Sequence, residues 1–342
     1  MGLAGLMRLY EVDYQLHQPH KPHQPKYLIM KFLSTKVPLA ALIFLLLNAR
    51  GLQAQKTLTE RLGYPATAKL LIVHADDLAV AHSENQASFR AMHEGVVNSA
   101  SIMVPCPWLP EVAAYAKSHP GHDLGLHLTL TSEWKHYRWG PVSDCGDLAG
   151  LLDSNGYFFD NCADFAAHAK LDAVERELRA QIEKAKSLGI EPTHLDSHMG
   201  CLFFQSPALF EIYVRLGREY RIPAMVSRDV LNLLPPAFKQ VLSEKDLLVD
   251  HVFTATPEDY RKGMANYYQT VLQTLPTGVN VLLIHTAYDD AEMQGVSIEH
   301  PDWGAAWRQA DFDFFTSAAC KKILAEQNIQ LVTWRQIGQL LK

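Results

Sequence analysis

The chain has 342 residues, a formal net charge of −6, 48% hydrophobic residues and 20% charged residues. That balance excludes a disordered chain and offers no basic field for nucleic acid or another polyanion. The length suits one large core, within the range of a single α/β barrel.

Residues 1–29 include the His-, Pro- and Gln-rich stretch HQPHKPHQPK and have no core-forming pattern. They read as an upstream extension before a second start at Met30, with His17, His20 and His23 too isolated from any fold to form a built site. From Met30, Lys31 and Lys36 precede the apolar run Val37–Leu47, and Ala54 offers a small residue for cleavage. Residues 30–54 therefore predict a signal peptide and a secreted or periplasmic product, because so short an apolar run falls below the ~20 residues a membrane span needs. Residues 55–342 are expected to form a single catalytic domain with no stable membrane insertion.

From Lys69, short apolar runs alternate with segments of helical period, the rhythm of repeated βα units. Strands are expected at 69–75, 99–104, 123–130, 193–197, 224–227, 250–253, 279–285 and 329–333, which predicts an α/β fold: a (β/α) barrel, closed or nearly closed. Ser83 and Gln86 suggest a capping box at the first helix, which stops at Gly95. Val174, Leu178, Ile182, Ala185 and Leu188 form an apolar helical stripe ending at Gly189, and Ser206-Pro207 and Thr256-Pro257 mark further helix starts.

The five cysteines, Cys106, Cys145, Cys162, Cys201 and Cys320, show no zinc-type spacing. Export permits a disulfide, and Cys145 with Cys162 is the nearest-spaced candidate pair, although sequence does not fix connectivity.

Three segments concentrate the chemistry: HADDL at 74–78, GLHLTL at 125–130 and HLDSH at 194–198. Side chains alternate along a strand, so His127 faces away from Leu124, Leu126, Leu128 and Leu130, while His194, Asp196 and His198 share a face. Each segment falls at a strand end, where barrel enzymes gather their reactive groups. Two imidazoles and one carboxylate can hold a divalent ion with open positions, and Asp77, His127 and His198 are the expected ligands. Asp76 is the expected general base and His285, ending the apolar strand VNVLLI, the general acid. His194 and Asp196 are expected to orient these groups from behind. Taken singly, an Asp pair is often a helix cap or solvated turn, and a lone histidine is often a satisfied core residue.

Aromatic residues follow two of these strands. Trp134, Tyr137 and Trp139 lie in TSEWKHYRWGPV, and Tyr288, Trp303 and Trp307 come after His285. Such rings can stack on sugars at a barrel mouth or pack beneath long loops.

HADDL, GLHLTLT, PTHLDSHMG and LLIHTA, in that order, resemble the YdjC-like carbohydrate deacetylases, a family of chitooligosaccharide-type deacetylases with a barrel related to polysaccharide deacetylases. The likeness runs from Leu70 to the C-terminus. It implies that Asp77, His127 and His198 bind a divalent metal, Mg2+ or Zn2+, that Asp76 is the base and that His285 is the acid. The chain departs from the usual family pattern at His74 in place of asparagine, at Leu78-Ala79, at Met199-Gly200-Cys201 in place of further histidines, and at Thr286 in place of proline. The expected activity is metal-dependent removal of acetyl groups from N-acetylated sugars or short oligosaccharides. A metal-independent glycoside hydrolase pairing Asp76 or Asp77 with Asp196, or a sugar-binding barrel without catalysis, are the alternatives. Composition and spacing say nothing of oligomeric state.

Overall fold

The computed structural model describes residues 56–143, 148 and 150–341. The expected extension and signal peptide, residues 1–54, and Cys145 lie outside the described residues. Seven parallel strands form one sheet: β1 (Lys69–Leu78), β2 (Ser99–Ile102), β3 (Leu124–Leu128), β4 (Leu195–Ser197), β5 (His251–Thr254), β6 (Gly278–Ile284) and β7 (Ile329–Leu331). Their order is β4-β3-β2-β1-β6-β5. β7 pairs with the first residues of β1, Lys69 to Leu71, whereas β2 pairs with β1 from His74 onward. The strand expected at 224–227 is reduced to two isolated bridges, Leu195↔Ala224 and Ser227↔Val249. The sheet thus curls into a (β/α) barrel whose closure between β4 and β5 rests on single bridges.

Alternation along the strands separates two environments. Leu71, Val73 and Ala75 of β1 join the large core under the surrounding helices. Leu70 and Ile72 point the other way, into an apolar plug with Val279, Val281, Met225, Val249, Val332 and Trp334. The same inward register continues to His74 and Asp76, and neighbouring strands add Ser99, Ser101, His127 and Asp196, all buried. The barrel interior is therefore apolar at the base and polar at the C-terminal ends of its strands.

Several expected caps are present. Ser206 Oγ accepts the Leu209 N–H at 3.2 Å, Thr256 forms a capping box with Asp259, and the helix Leu171–Ser187 is followed by Gly189 at φ +83°. Ser83 is a correction: the first barrel helix is His82–Glu94 with Ala81 at its N-cap, and Ser83 lies inside it. Its start is capped from elsewhere, because the Glu292 carboxylate accepts the N–H groups of His82 and Ser83 at 3.2 and 2.8 Å.

The disulfide is a second correction. Cys162 pairs with Cys201, not with Cys145, across a Cα–Cα distance of 5.1 Å. The helix Cys162–His168 carries one sulfur and the helical turn Cys201–Phe204 the other. Proximity in the fold, not along the chain, sets the pair. Cys106 and Cys320 are buried free thiols.

Gly125 on β3 is needed for close approach, since a Cβ there would lie 2.4 Å from the His194 ring. We expect Gly125→Ala to lower stability by roughly 1–3 kcal/mol through overpacking. Urea unfolding checks this: the midpoint should fall with an unchanged slope.

Candidate active site

The carboxylate pair depends on an irregularity at the end of β1. Adjacent residues of a regular strand point to opposite faces, yet Asp76 and Asp77 both reach the mouth of the barrel. The β1/β2 register shifts between Ala75 and Leu78, and Asp77 and Ala79 have φ values of +70° and +82°. This bulge re-aims Asp77. It is held open by Asn85 Oδ1, which accepts the Ala79 N–H at 2.8 Å, and by the Met103 N–H donating to the Leu78 carbonyl at 2.8 Å. Left-handed backbone at a residue other than glycine costs on the order of 1–3 kcal/mol and concentrates at functional sites.

Asp77 Oδ1 lies 3.3 Å from His127 Nε2 and 3.4 Å from His198 Nδ1. It is buried and makes no hydrogen bond. Two donors each 2.0–2.1 Å from one ion at a tetrahedral angle would be about 3.3–3.4 Å apart, so the spacing and the orphaned oxygen fit a divalent metal. The three donor atoms belong to one of the sets that lie within 4.8 Å of one another. Both imidazoles are backed by carboxylates: His198 Nε2 is 2.9 Å from Glu133 and His127 Nδ1 is 2.8 Å from Asp196. This is the usual support for a ligating histidine.

The second oxygen of Asp77 accepts from Arg308 at 2.8 Å. Arg308 is buried on the helix Ala305–Thr316, and its other terminal nitrogen pairs with both oxygens of Glu84 at 2.6 and 2.7 Å. Burial pushes the Asp77 carboxyl up, but Arg308 and the facing imidazoles outweigh it and hold the group well below the usual range. Burial likewise pulls His198 down, while Glu133 and Asp77 raise it to about 10. His127 is also raised, with Asp196 and Asp76 overcoming its burial.

Asp76 is held differently. Its Oδ1 meets His74 Nε2 at 3.0 Å and Ser101 Oγ at 3.2 Å, and its Oδ2 faces His285 Nε2 at 3.9 Å. His74 Nε2 also meets Asp196 Oδ2 at 2.8 Å, so Asp196 bridges His74 and His127. Burial would lower His74, but hydrogen bonds that the ring donates to Asp196 and Asp76 raise it to about 10. His285 has no such partner. Burial takes its imidazole down to about 4, although Asp77 oppositely raises it. Its backbone N–H is fixed by Asp311 at 2.9 Å, and Asp311 in turn accepts from Tyr268 at 2.7 Å.

The structure thus brings Asp76, Asp77, His127, Asp196, His198 and His285 together. His194 is a correction. It sits one layer deeper, stacked on Trp334 at 5.3 Å and edge-on to His74 at 4.8 Å. Its Nδ1 meets Thr193 Oγ1 at 3.0 Å and its Nε2 is 3.9 Å from Asp196, too far for a hydrogen bond. Sharing a strand face with Asp196 does not give it the same height in the barrel.

Among the aromatic residues, Trp134 and Trp139 are only 2% and 4% exposed, so they form wall packing and offer little face to a sugar. Trp139 lies edge-on to His198 at 6.1 Å, and the Arg308 guanidinium lies 5.4 Å from the Trp134 ring. Tyr137, Tyr288 and Trp303 are partly exposed. Trp303 stacks on buried Trp307 at 5.0 Å, and Tyr288 packs on Phe312 at 5.1 Å.

Sequence reasoning missed His74, Ser101, Glu133, Arg308 and Glu84. The inward register of β1 could have found His74, two residues before Asp76. Glu133 and Arg308 reach the site from loop and helix, where no local pattern marks them.

Residues 70–326 match the YdjC-like protein family. The chain belongs to that family. It is 34% identical over 293 residues to a carbohydrate deacetylase from Thermus thermophilus, covering 83% of this chain and 99% of the relative. A carbohydrate deacetylase from Brevibacillus brevis is 32% identical over 278 residues, covering 78% and 99%. The crystal structure of a proposed cellobiose-phosphate cleavage protein from Enterococcus faecalis V583 superposes with a TM-score of 0.64 at 23% identity, over 79% of this chain and 99% of that one. That likeness bears on the fold alone.

His198, raised to about 10, carries a proton near pH 7 when no ion is bound, and His127 is shifted in the same direction, whereas a ligating imidazole must be neutral. Loading Zn2+ near pH 7 should therefore release the proton of His198, and affinity should rise with pH towards about 10. Calorimetry in buffers of different ionisation enthalpy measures this; no proton release would contradict a protonated His198. Glu133→Gln should weaken binding by about 10–100-fold.

Proposed function

We propose that this YdjC-like protein is a metal-dependent hydrolase that removes acetyl groups from N-acetylated sugars or short oligosaccharides. The observation that carries the reading is the division of labour between adjacent carboxylates: Asp77 Oδ1 faces His127 and His198, whereas Asp76 Oδ2 faces His285. A divalent ion held by Asp77, His127 and His198 would polarise the acetyl carbonyl and make water easier to ionise. The two imidazoles favour a transition metal such as Zn2+ over Mg2+. Relatives named carbohydrate deacetylases, matched over 99% of their length, support the substrate class.

Asp76 Oδ2 takes a proton from the attacking water while its Oδ1 stays anchored by His74 and Ser101. The water oxygen adds to the acetyl carbon, the C–N bond breaks and the amine nitrogen accepts a proton. His285, with its pKa near 4, enters the reaction neutral. It can donate only after receiving a proton, and Asp76 Oδ2, 3.9 Å away, holds the one that water gave up. Acetate and a free amino sugar leave.

A two-carboxylate glycosidase fits less well. Asp196 is fully buried and tied to His74 and His127, so it cannot flank a glycosidic bond opposite Asp76. Acetate release would exclude a sugar-binding barrel without catalysis. The reading includes export, with cleavage after Ala54; the Cys162–Cys201 bridge suits an oxidising compartment.

Asp76→Asn should lower turnover by roughly a hundredfold or more with the ion retained. Asp77→Asn should weaken the ion itself. Acetate release from N-acetylated saccharides, with metal content measured on the same folded protein, tests both; parental turnover in Asp76→Asn would remove it as the base. N-terminal sequencing of exported protein should begin near Gln55, and an intact Met1 there would contradict the signal segment.

A further inference from the structure

Asp77 lies on β1 and His127 on β3, but His198 stands outside the sheet. The β3–β4 ladder ends at Leu128↔Ser197, one residue before it. A tight turn carries its backbone instead. The Cys201 N–H donates to the His198 carbonyl, Met199 and Gly200 between them have φ values of +53° and +67°, and Ser197 Oγ accepts the Leu202 N–H at 3.1 Å. Left-handed backbone at a residue with a β-carbon persists only where its surroundings over-determine it. The covalent tie on this turn is the bond from Cys201 to Cys162. We propose that the Cys162–Cys201 disulfide is a positioning element for His198, setting its imidazole between Asp77 and Glu133 for its part in holding the metal.

Both sulfurs are placed to act on this one residue. Cys201 follows His198 by three residues, and Cys162 Sγ lies 3.6 Å from the Met199 carbonyl. Cys162 opens the helix Cys162–His168, at the end of the long segment that leaves β3. That same segment supplies the neighbours of the ring. Glu133 lies 2.9 Å from His198 Nε2, Trp139 stands edge-on to the imidazole at 6.1 Å, and Thr131 Oγ1 donates to Met199 Sδ at 3.4 Å.

The segment is itself tied together. The Ser132 N–H donates to the Phe159 carbonyl at 2.8 Å and Trp139 Nε1 to the Thr131 carbonyl at 2.8 Å. Asn161 Oδ1 accepts the Asp164 N–H at 2.8 Å and so caps the helix that carries Cys162. Glu133, which holds the ring, and Cys162, which holds the turn, therefore belong to one hydrogen-bonded piece. Both cysteines are buried, which shields the bond from solvent thiols. The role rests on the reading of Asp77, His127 and His198 as metal ligands. Supports that orient a ligating imidazole typically change metal affinity by about 10–100-fold.

The test compares the folded parent with Cys162→Ala/Cys201→Ala, reading zinc affinity at room temperature by competition with a chromophoric chelator. The variant should bind zinc about 10-fold more weakly or worse. Its acetate release should return to the parental rate in excess zinc, because every donor is still present. Parental affinity in the variant, whatever its melting temperature, would overturn the proposal and leave the bridge a staple of the fold. A second reading needs no metal. With isotope-labelled histidine, the ring N–H of His198 facing Glu133, identified by its loss in His198→Gln, should give a sharp resonance in the parent and a broadened one in the variant; equal resonances would overturn the proposal. Should the double variant fail to fold, the folded parent reduced by a trialkylphosphine replaces it in this second reading: phosphorus takes oxygen from water and the two sulfurs take its hydrogens as thiols. Zinc binding by the parent without acetate release would reject the deacetylase reading and keep the positioning role. A parent that binds no zinc would reject the barrel ion, and the ring resonance alone would then decide whether the bridge positions His198.

Discussion

The left-handed turn of the backbone at Asp77 is the constraint on which the site depends. Without it, the pleat of β1 would send one carboxylate to the mouth and the other into the apolar layer under the helices. With it, two anions stand side by side where water is scarce. Such a pair is tolerable only when each has its own counter-charge. Asp77 has Arg308, which also pairs with Glu84, and Asp76 has His74, which also pairs with Asp196. At the mouth, each aspartate of the pair thus faces a basic group of its own, Arg308 or His74.

This pairing also separates the chemical roles of neighbouring residues. Arg308 occupies the outer oxygen of Asp77 and leaves the inner oxygen bare between two imidazoles. His74 and Ser101 occupy one oxygen of Asp76 and leave the other towards His285. Identical side chains one residue apart are made unlike by which oxygen is already taken. The departure of His74 from the asparagine common in the family fits this pattern, since an imidazolium supplies a charge that an amide cannot.

Much of the architecture was legible in the sequence, because strand alternation and helix starts are local. The inward set of β3 and β4 followed from period-two reading, and His127 and His198 stand where it put them. The strand at 224–227 was read at the right place but exists only as isolated bridges to Leu195 and Val249, since pairing depends on neighbours that local pattern does not show. The disulfide, Glu133 and Arg308 were illegible for the same reason: their partners are dozens to hundreds of residues away. His194 shows the opposite limit. Alternation gave its face correctly, but not its depth, and depth decided that it packs on Trp334 and stays apart from the reacting groups.

The seam between β4 and β5 gives the barrel a mechanical direction. β4 is the end of the hydrogen-bonded path, joined beyond Leu195 only through the bridge to Ala224. That same short strand carries Asp196 and leads into His198, whereas Asp76 and Asp77 belong to β1 at the centre of the sheet, paired with β2, β6 and β7. Local opening begins where a ladder is thinnest. The candidate ligand set thus joins a carboxylate from the centre of the sheet, Asp77 on β1, to an imidazole at its edge, His198 just after β4.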